Sequence, residues 1–97
     1  KMTQILRAEH LPASLTMVSM VESDFNLFDE SPSGAVGWWQ FLAGTAKEYG
    51  LIIIPEQQID ERRDVEKSTS AAAAMLKKLM VRWKGDLKMA LASYNQC

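Results

Sequence analysis

Residues 22 to 40, ESDFNLFDESPSGAVGWWQ, hold the side chains best suited to do chemistry. Glu22 closes an apolar run, Ser31-Pro32-Ser33-Gly34 has turn composition, and Gly37 opens onto Trp38, Trp39 and Gln40. A carboxyl group at the end of an apolar run is sheltered from water. Burying it charged and unpartnered is costly, so such an acid shifts toward its protonated form, the form a proton donor needs. The turn residues and the glutamine supply hydrogen bonds, and the aromatic rings supply flat apolar faces. Together these read as one wall of a carbohydrate-cleaving site with Glu22 as its acid.

The elements around this wall must position it. Met2 to His10 reads as a short helix, stopped by Leu11-Pro12, where proline suits the first turn of the next helix. Leu15 to Ser23 is that next helix. Leu15, Met17, Val18, Met20 and Val21 cover more than half of its circumference, which is the pattern of a helix surrounded by others. Glu22 falls within this apolar arc, between the directions of Val18 and Leu15. The alternative is a helix-end glutamate turned out to solvent. Asp24 to Gly37 is a loop anchored by Phe25, Leu27 and Phe28, and Asp24, Asp29 and Glu30 read as solvated loop charges.

Trp38 to Tyr49 is expected to be helical, with an interruption at Gly44-Thr45. Thr45 and Glu48 there have the spacing of a capping box, and Gly50 follows as a terminator. Neighbouring residues on a helix cannot share one face, so one of the tryptophans is expected at a surface or groove. Leu51 to Glu61 is a connection. Leu51-Ile52-Ile53-Ile54 has strand composition, ended by Pro55, but with no evident partner strand an extended packed loop is preferred.

Asp60, Arg62, Arg63 and Asp64 read as an ion-pair set pinning this connection to a helix start. The longest helix then runs from Asp64 or Ser68 to about Lys84. Its apolar stripe is Ala72, Leu76, Leu79, Met80 and Trp83, its lysines form a solvated face, and Ala71 to Ala74 permit close approach of a neighbour. Gly85 ends it and Asp86 caps a final helix carrying Leu87, Met89, Ala90, Leu91 and Tyr94. The fold class is therefore all-α.

The bulk numbers narrow the possible functions. Ninety-seven residues make one small domain, and a net charge of −1 offers no global field for nucleic acid. No apolar run approaches the roughly 18–20 residues needed to cross a bilayer. One histidine, His10, and one cysteine, Cys97, cannot build a zinc site, and His10, alone on the first helix, suggests no Ser/His/Asp arrangement. Gly34-Ala35-Val36-Gly37 lacks the continuation of a phosphate-binding loop. No cofactor or metal is expected.

Taken in order, several short motifs resemble the SLT-type catalytic domain of lytic transglycosylases, which share a lysozyme-like fold with goose-type lysozyme. They are Glu22-Ser23; Ser31-Pro32-Ser33-Gly34-Ala35-Val36-Gly37-Trp38-Trp39-Gln40-Phe41; Thr45-Ala46; Tyr49-Gly50-Leu51; Asp60, Arg62 and Asp64 with the alanine run; and Leu91-Ala92-Ser93-Tyr94-Asn95. The resemblance spans Leu11-Pro12 to Asn95. It implies a lysozyme-like small helical domain over 1–97, acting on peptidoglycan glycan strands in a periplasmic or cell-envelope setting. Glu22 is implied as the one acid and base, cleaving without water to leave a 1,6-anhydro sugar.

The resemblance further implies that Ser31 and Gln40 bind sugar near the cleavage point. Tyr94 would orient Glu22 through its hydroxyl, and Asn95 would lie on the cleft or brace it. Trp39 stands where the family often has methionine and is expected to stack on sugar. Cys97 stands where a glycine is usual, and the family's further helices would follow it. The domain is thus expected to be part of a longer chain, with membrane- or wall-binding modules elsewhere. A hydrolytic lysozyme and a non-catalytic wall-binding module that keeps the fold are the alternatives.

Overall fold

The computed structural model describes residues 30–32 and 34–95. The helices expected at Met2 to His10 and Leu15 to Ser23, and Glu22 with them, lie outside the described residues, as does the side chain of Asn95.

What is described is mainly helical. A looped segment leads to α1 (Ala43–Glu48), then to a small hairpin of β1 (Ile53–Ile54) and β2 (Ile59–Asp60). A single 3₁₀ turn at Glu61–Arg63 joins the hairpin to the 18-residue helix α2 (Val65–Arg82), and α3 (Leu87–Asn95) packs back against α2.

Residues 38 to 40 are not part of α1. Gly37 (φ 83°) and Gln40 (φ 52°) are both left-handed, and Val36 and Phe41 exchange backbone hydrogen bonds of 3.0 and 3.2 Å across a tight turn. A right-handed helix cannot run through such residues, so the helix begins three residues after Gln40. Its N-cap is Leu42, with no side-chain cap bond. Thr45 and Glu48 therefore do not form the expected capping box, because Thr45 is already inside the first turn. At the other end Gly50 N–H bonds to Lys47 O and Leu51 N–H to Ala46 O, the pattern of a Schellman closure with left-handed Gly50. The closure turns Leu51 inward to pack in the same core as Ala46.

The connection after Leu51 differs from the expected loop. Ile53 pairs with Asp60 and Ile54 with Ile59, antiparallel, around a 3₁₀ turn at Pro55–Gln57 and a left-handed Gln58. The partner strand escaped the sequence reading because two residues carry no alternation.

Helix α2 starts where Asp64 accepts from Lys67 N–H at 2.9 Å. Its expected stripe is present but wider: Ser68, Thr69, Ala71, Ala73 and Met75 join Ala72, Leu76 and Leu79 in the interior. Small side chains on this face let the site loop and α3 approach closely, with Trp39, Phe41, Ala90 and Tyr94 completing the core. Burying a side chain of the size of Leu76 contributes about 1.5–3 kcal/mol. Lys84, left-handed at φ 53°, and Gly85 close the helix through Val81 O and Met80 O. Asp86 then accepts from Met89 N–H at 3.2 Å, and Trp83 Nε1 donates to Ser93 Oγ at 2.8 Å, tying α3 to the end of α2. Among the described residues no helix is long and apolar enough to cross a membrane.

Candidate active site

The segment from Glu30 to Phe41 carries three of the residues singled out in sequence: Ser31, Trp39 and Gln40. Among its described residues there is no helix or strand beyond isolated bridges, so its turns are held by individual hydrogen bonds. Ser31 N–H donates to Ala35 O at 2.8 Å, Gly34 N–H to Ser31 O at 2.9 Å, and Ala35 N–H to Ser31 Oγ at 3.0 Å. The serine side chain thus closes its own turn. Gln40 closes the next one, with its N–H and its Nε2 both donating to Gly37 O, at 3.2 and 2.7 Å. The carboxamide is half-buried, and among the described residues nothing donates to its Oε1.

Tyr94 reaches this loop from α3. Its hydroxyl donates to Trp39 O at 2.7 Å, and its ring lies tilted against Phe41 with centroids 6.2 Å apart. It is 7% exposed, so little of it is open to a ligand. The resemblance aims this hydroxyl at Glu22, which lies outside the described residues. The contact on view is with the peptide that carries Gln40. Asn95 is the last residue of α3.

Trp39 corrects the sequence reading. It is 0% exposed and its Nε1 donates to Thr69 Oγ1 at 2.9 Å, inside the core against α2. A ring in that place cannot stack on a sugar. The tryptophan that turns partly outward is Trp38. The alternation arises because the two residues sit in a turn, where side chains diverge, and the inner one found a buried hydroxyl for its N–H. No motif in the sequence marks Thr69. Its one signal is spacing, since it lies three and seven residues before Ala72 and Leu76 on the buried stripe.

Arg62 is the other residue whose part exceeds the sequence reading. It forms the expected ion pair: Nε donates to Asp60 Oδ1 at 2.8 Å and Nη2 to Oδ2 at 2.7 Å, a two-pronged contact. Its remaining nitrogen turns to the site loop, where Nη1 donates to Phe41 O at 3.1 Å and Gly34 O at 3.2 Å. Arg62 is 8% exposed. Its backbone touches the loop as well, because a Cβ on Gly37 would lie 2.1 Å from Arg62 O. Only glycine permits that approach. Burial pushes the Asp60 carboxyl up, but the hydrogen bonds from Arg62 and the charges of Arg62 and Arg63 outweigh it and hold the group below its usual range.

These contacts bring Ser31, Gln40 and Tyr94 into one connected assembly. The Ser31 turn leads through Ala35 to the Val36–Phe41 pair, and Tyr94 binds the peptide next to Gln40. A cavity of about 650 Å³ lies elsewhere, between Tyr49–Ile52 and the exposed side of α2. None of the three lines it. Its charged wall, Glu61 with Lys67, is a 2.7 Å ion pair at the surface, so the hydrogen-bonded loop is the better candidate for a site.

A loop of this kind set against a helical frame fits the resemblance noted in the sequence, and comparison with known proteins agrees. Residues 3–97 match the Transglycosylase SLT domain family, and the chain belongs to that family. It is 34% identical over 90 residues to membrane-bound lytic murein transglycosylase D of Escherichia coli K12, covering 93% of this chain and 20% of that protein. It is 35% identical over 82 residues to peptidoglycan transglycosylase gp16 of Escherichia phage T7, covering 84% of this chain and 6% of the phage protein. A protein of Alteromonas sp. (strain M-1) named for tributyltin chloride resistance is 37% identical over 86 residues, covering 89% of this chain and 41% of the relative. The chain therefore spans less than half the length of each of these relatives.

Proposed function

We propose that this domain cleaves the β-1,4 bond between N-acetylmuramic acid and N-acetylglucosamine in peptidoglycan without adding water, leaving a 1,6-anhydro-muramoyl end. The observation that carries the reading is the family match over residues 3–97, joined to relatives named for this activity. The bonded Ser31–Gln40 loop supports it.

In the proposed reaction Glu22 is the acid and then the base. Its carboxyl proton passes to the glycosidic oxygen as the bond from that oxygen to muramoyl C1 breaks, and the leaving oxygen keeps the electron pair. The carboxylate then takes the proton from the muramoyl C6 hydroxyl, whose oxygen closes on C1. The proton count balances with one carboxyl group, whereas hydrolytic glycosidases ordinarily need two. Ser31 and Gln40 hold the sugar next to the scissile bond. Gln40 Oε1 suits a hydroxyl or amide N–H of the glycan, because Nε2 is already committed to Gly37 O. Asn95 braces the cleft, and Tyr94 sets the loop through Trp39 O. Trp39 supports the loop from inside.

The setting that fits this chemistry is the bacterial cell envelope, with peptidoglycan strands as the partner. Membrane- or wall-binding modules would belong to other parts of a longer chain.

Mass spectrometry of muropeptides released from purified sacculi tests the proposal. The intact protein is expected to release anhydro-muropeptides, and Glu22→Gln to lower that rate by about a thousandfold or more while still folding. Reducing-end muramic acid in place of anhydro products would assign hydrolysis. Equal clearing by both proteins would remove Glu22 from the chemistry.

A further inference from the structure

The contacts of Arg62 exceed what an ion pair needs. A guanidinium satisfied by Asp60 alone would pin the 3₁₀ turn to the hairpin. Here Nη1 also spans two carbonyls on opposite limbs of the loop, Gly34 O and Phe41 O, which lie 28 and 21 residues away in sequence. The first belongs to the turn that Ser31 closes. The second belongs to the residue immediately after Gln40. One planar, nearly buried group therefore sets how far apart the two limbs lie.

Gln40 has particular need of such a constraint. A non-glycine residue at positive φ is strained and persists only where its surroundings over-determine it. The surroundings here are the Val36–Phe41 pair, the two bonds to Gly37 O, and the Arg62 bond to Phe41 O.

We propose that Arg62 is a positioning residue, whose fork, clamped by Asp60, fixes Ser31 and Gln40 relative to each other so that both meet one stretch of glycan. This rests on the reading of Ser31 and Gln40 as sugar-binding residues. Arg62 itself does not touch substrate. Lysine cannot replace it, since an ammonium keeps the charge but lacks the planar set of donors that reaches both Asp60 oxygens and two carbonyls at once.

The test is calorimetric titration of soluble glycan strands into the intact protein carrying Glu22→Gln, so that binding is read without turnover. Arg62→Lys is expected to weaken binding about tenfold, the loss equivalent to roughly 1.4 kcal/mol, in protein whose thermal unfolding shows it to be folded. Combining Arg62→Lys with Gln40→Ala is expected to weaken binding no further than Gln40→Ala alone, because the arginine acts through the glutamine. A merely structural arginine would not give that coupling. Ser31→Ala and Gln40→Ala provide the control. If they bind like the parent, the sugar-binding reading fails. If they lose affinity while folded Arg62→Lys binds like the parent, or if its loss adds in full to that of Gln40→Ala, the positioning role is overturned. Should Arg62→Lys not fold, Asp60→Asn is judged by the same two comparisons.

Discussion

The α2–α3 pair and the Glu30–Phe41 loop are held by different physics. The helices are held mainly by burial: Ala72, Leu76, Leu79 and Ala90 exclude water over a broad face through non-directional contacts, with the Trp83–Ser93 hydrogen bond added at one end. The loop buries Trp39 and Phe41 in the same core, but its shape is set by directed bonds with residues distant in sequence, Arg62, Thr69 and Tyr94, and by one backbone approach at Gly37. Damage to the helices should therefore appear as lost stability with the site intact in whatever remains folded. Damage to the loop should appear at the site beyond its effect on stability.

Gly37→Ala should break the comparison most severely. The new methyl would meet a backbone carbonyl rather than a movable side chain, and φ at 83° is already unfavourable for alanine. The combined cost is expected at about 4 kcal/mol, read as a fall in denaturation midpoint, with glycan binding lost in the folded fraction. Leu76→Ala should cost about 3 kcal/mol through a cavity at the centre of α2. Its folded fraction should bind glycan as before, and a loss of affinity there would show that the helices and the loop are not separable.

Tyr94→Phe should cost about 2 kcal/mol, because the buried Trp39 carbonyl loses its donor. Chemical denaturation measures it, with muropeptide release falling less than in Glu22→Gln. Asp64→Ala, which removes the cap of α2, should cost about 1 kcal/mol and leave the site unchanged.

The smallest effect should be seen in acid. The Asp60 carboxyl is held below its usual range when folded, so its contribution is complete above the unfolded value of about 4. It is lost as pH falls from there through the folded value. Asp60→Asn should flatten that part of the acid-unfolding curve, and an unchanged curve would remove Asp60 from the acid response.

The same contrast explains how much could be read from the sequence. Helix α2, its Asp64 start as one of two candidates, the Gly50 and Gly85 closures and the Asp86 cap are local signals, written in residues next to the feature they specify. The Asp60–Arg62 pair was legible for the same reason. The burial of Trp39, the left-handed Gln40 and the reach of Arg62 to Gly34 and Phe41 depend on what lies across the fold, and no window of neighbouring residues contains that information. Ile59-Asp60 was missed because a two-residue strand is defined only by its partner. The family motifs supplied Ser31, Gln40 and Tyr94 as a set. Chain geometry then showed Tyr94 on the loop's peptide backbone and Trp39 in the interior.

The contact between Gly37 and the Arg62 carbonyl has a consequence for how the chain reaches its final form. Two stretches of main chain that touch with no side chain between them cannot be assembled gradually. That contact is complete only with the 3₁₀ turn after the hairpin in place, and the turn leads straight into the head of α2. Amide protons at Val36 and Phe41 should therefore exchange with solvent in step with those at the start of that helix, as one opening unit, although more than twenty residues of chain separate them.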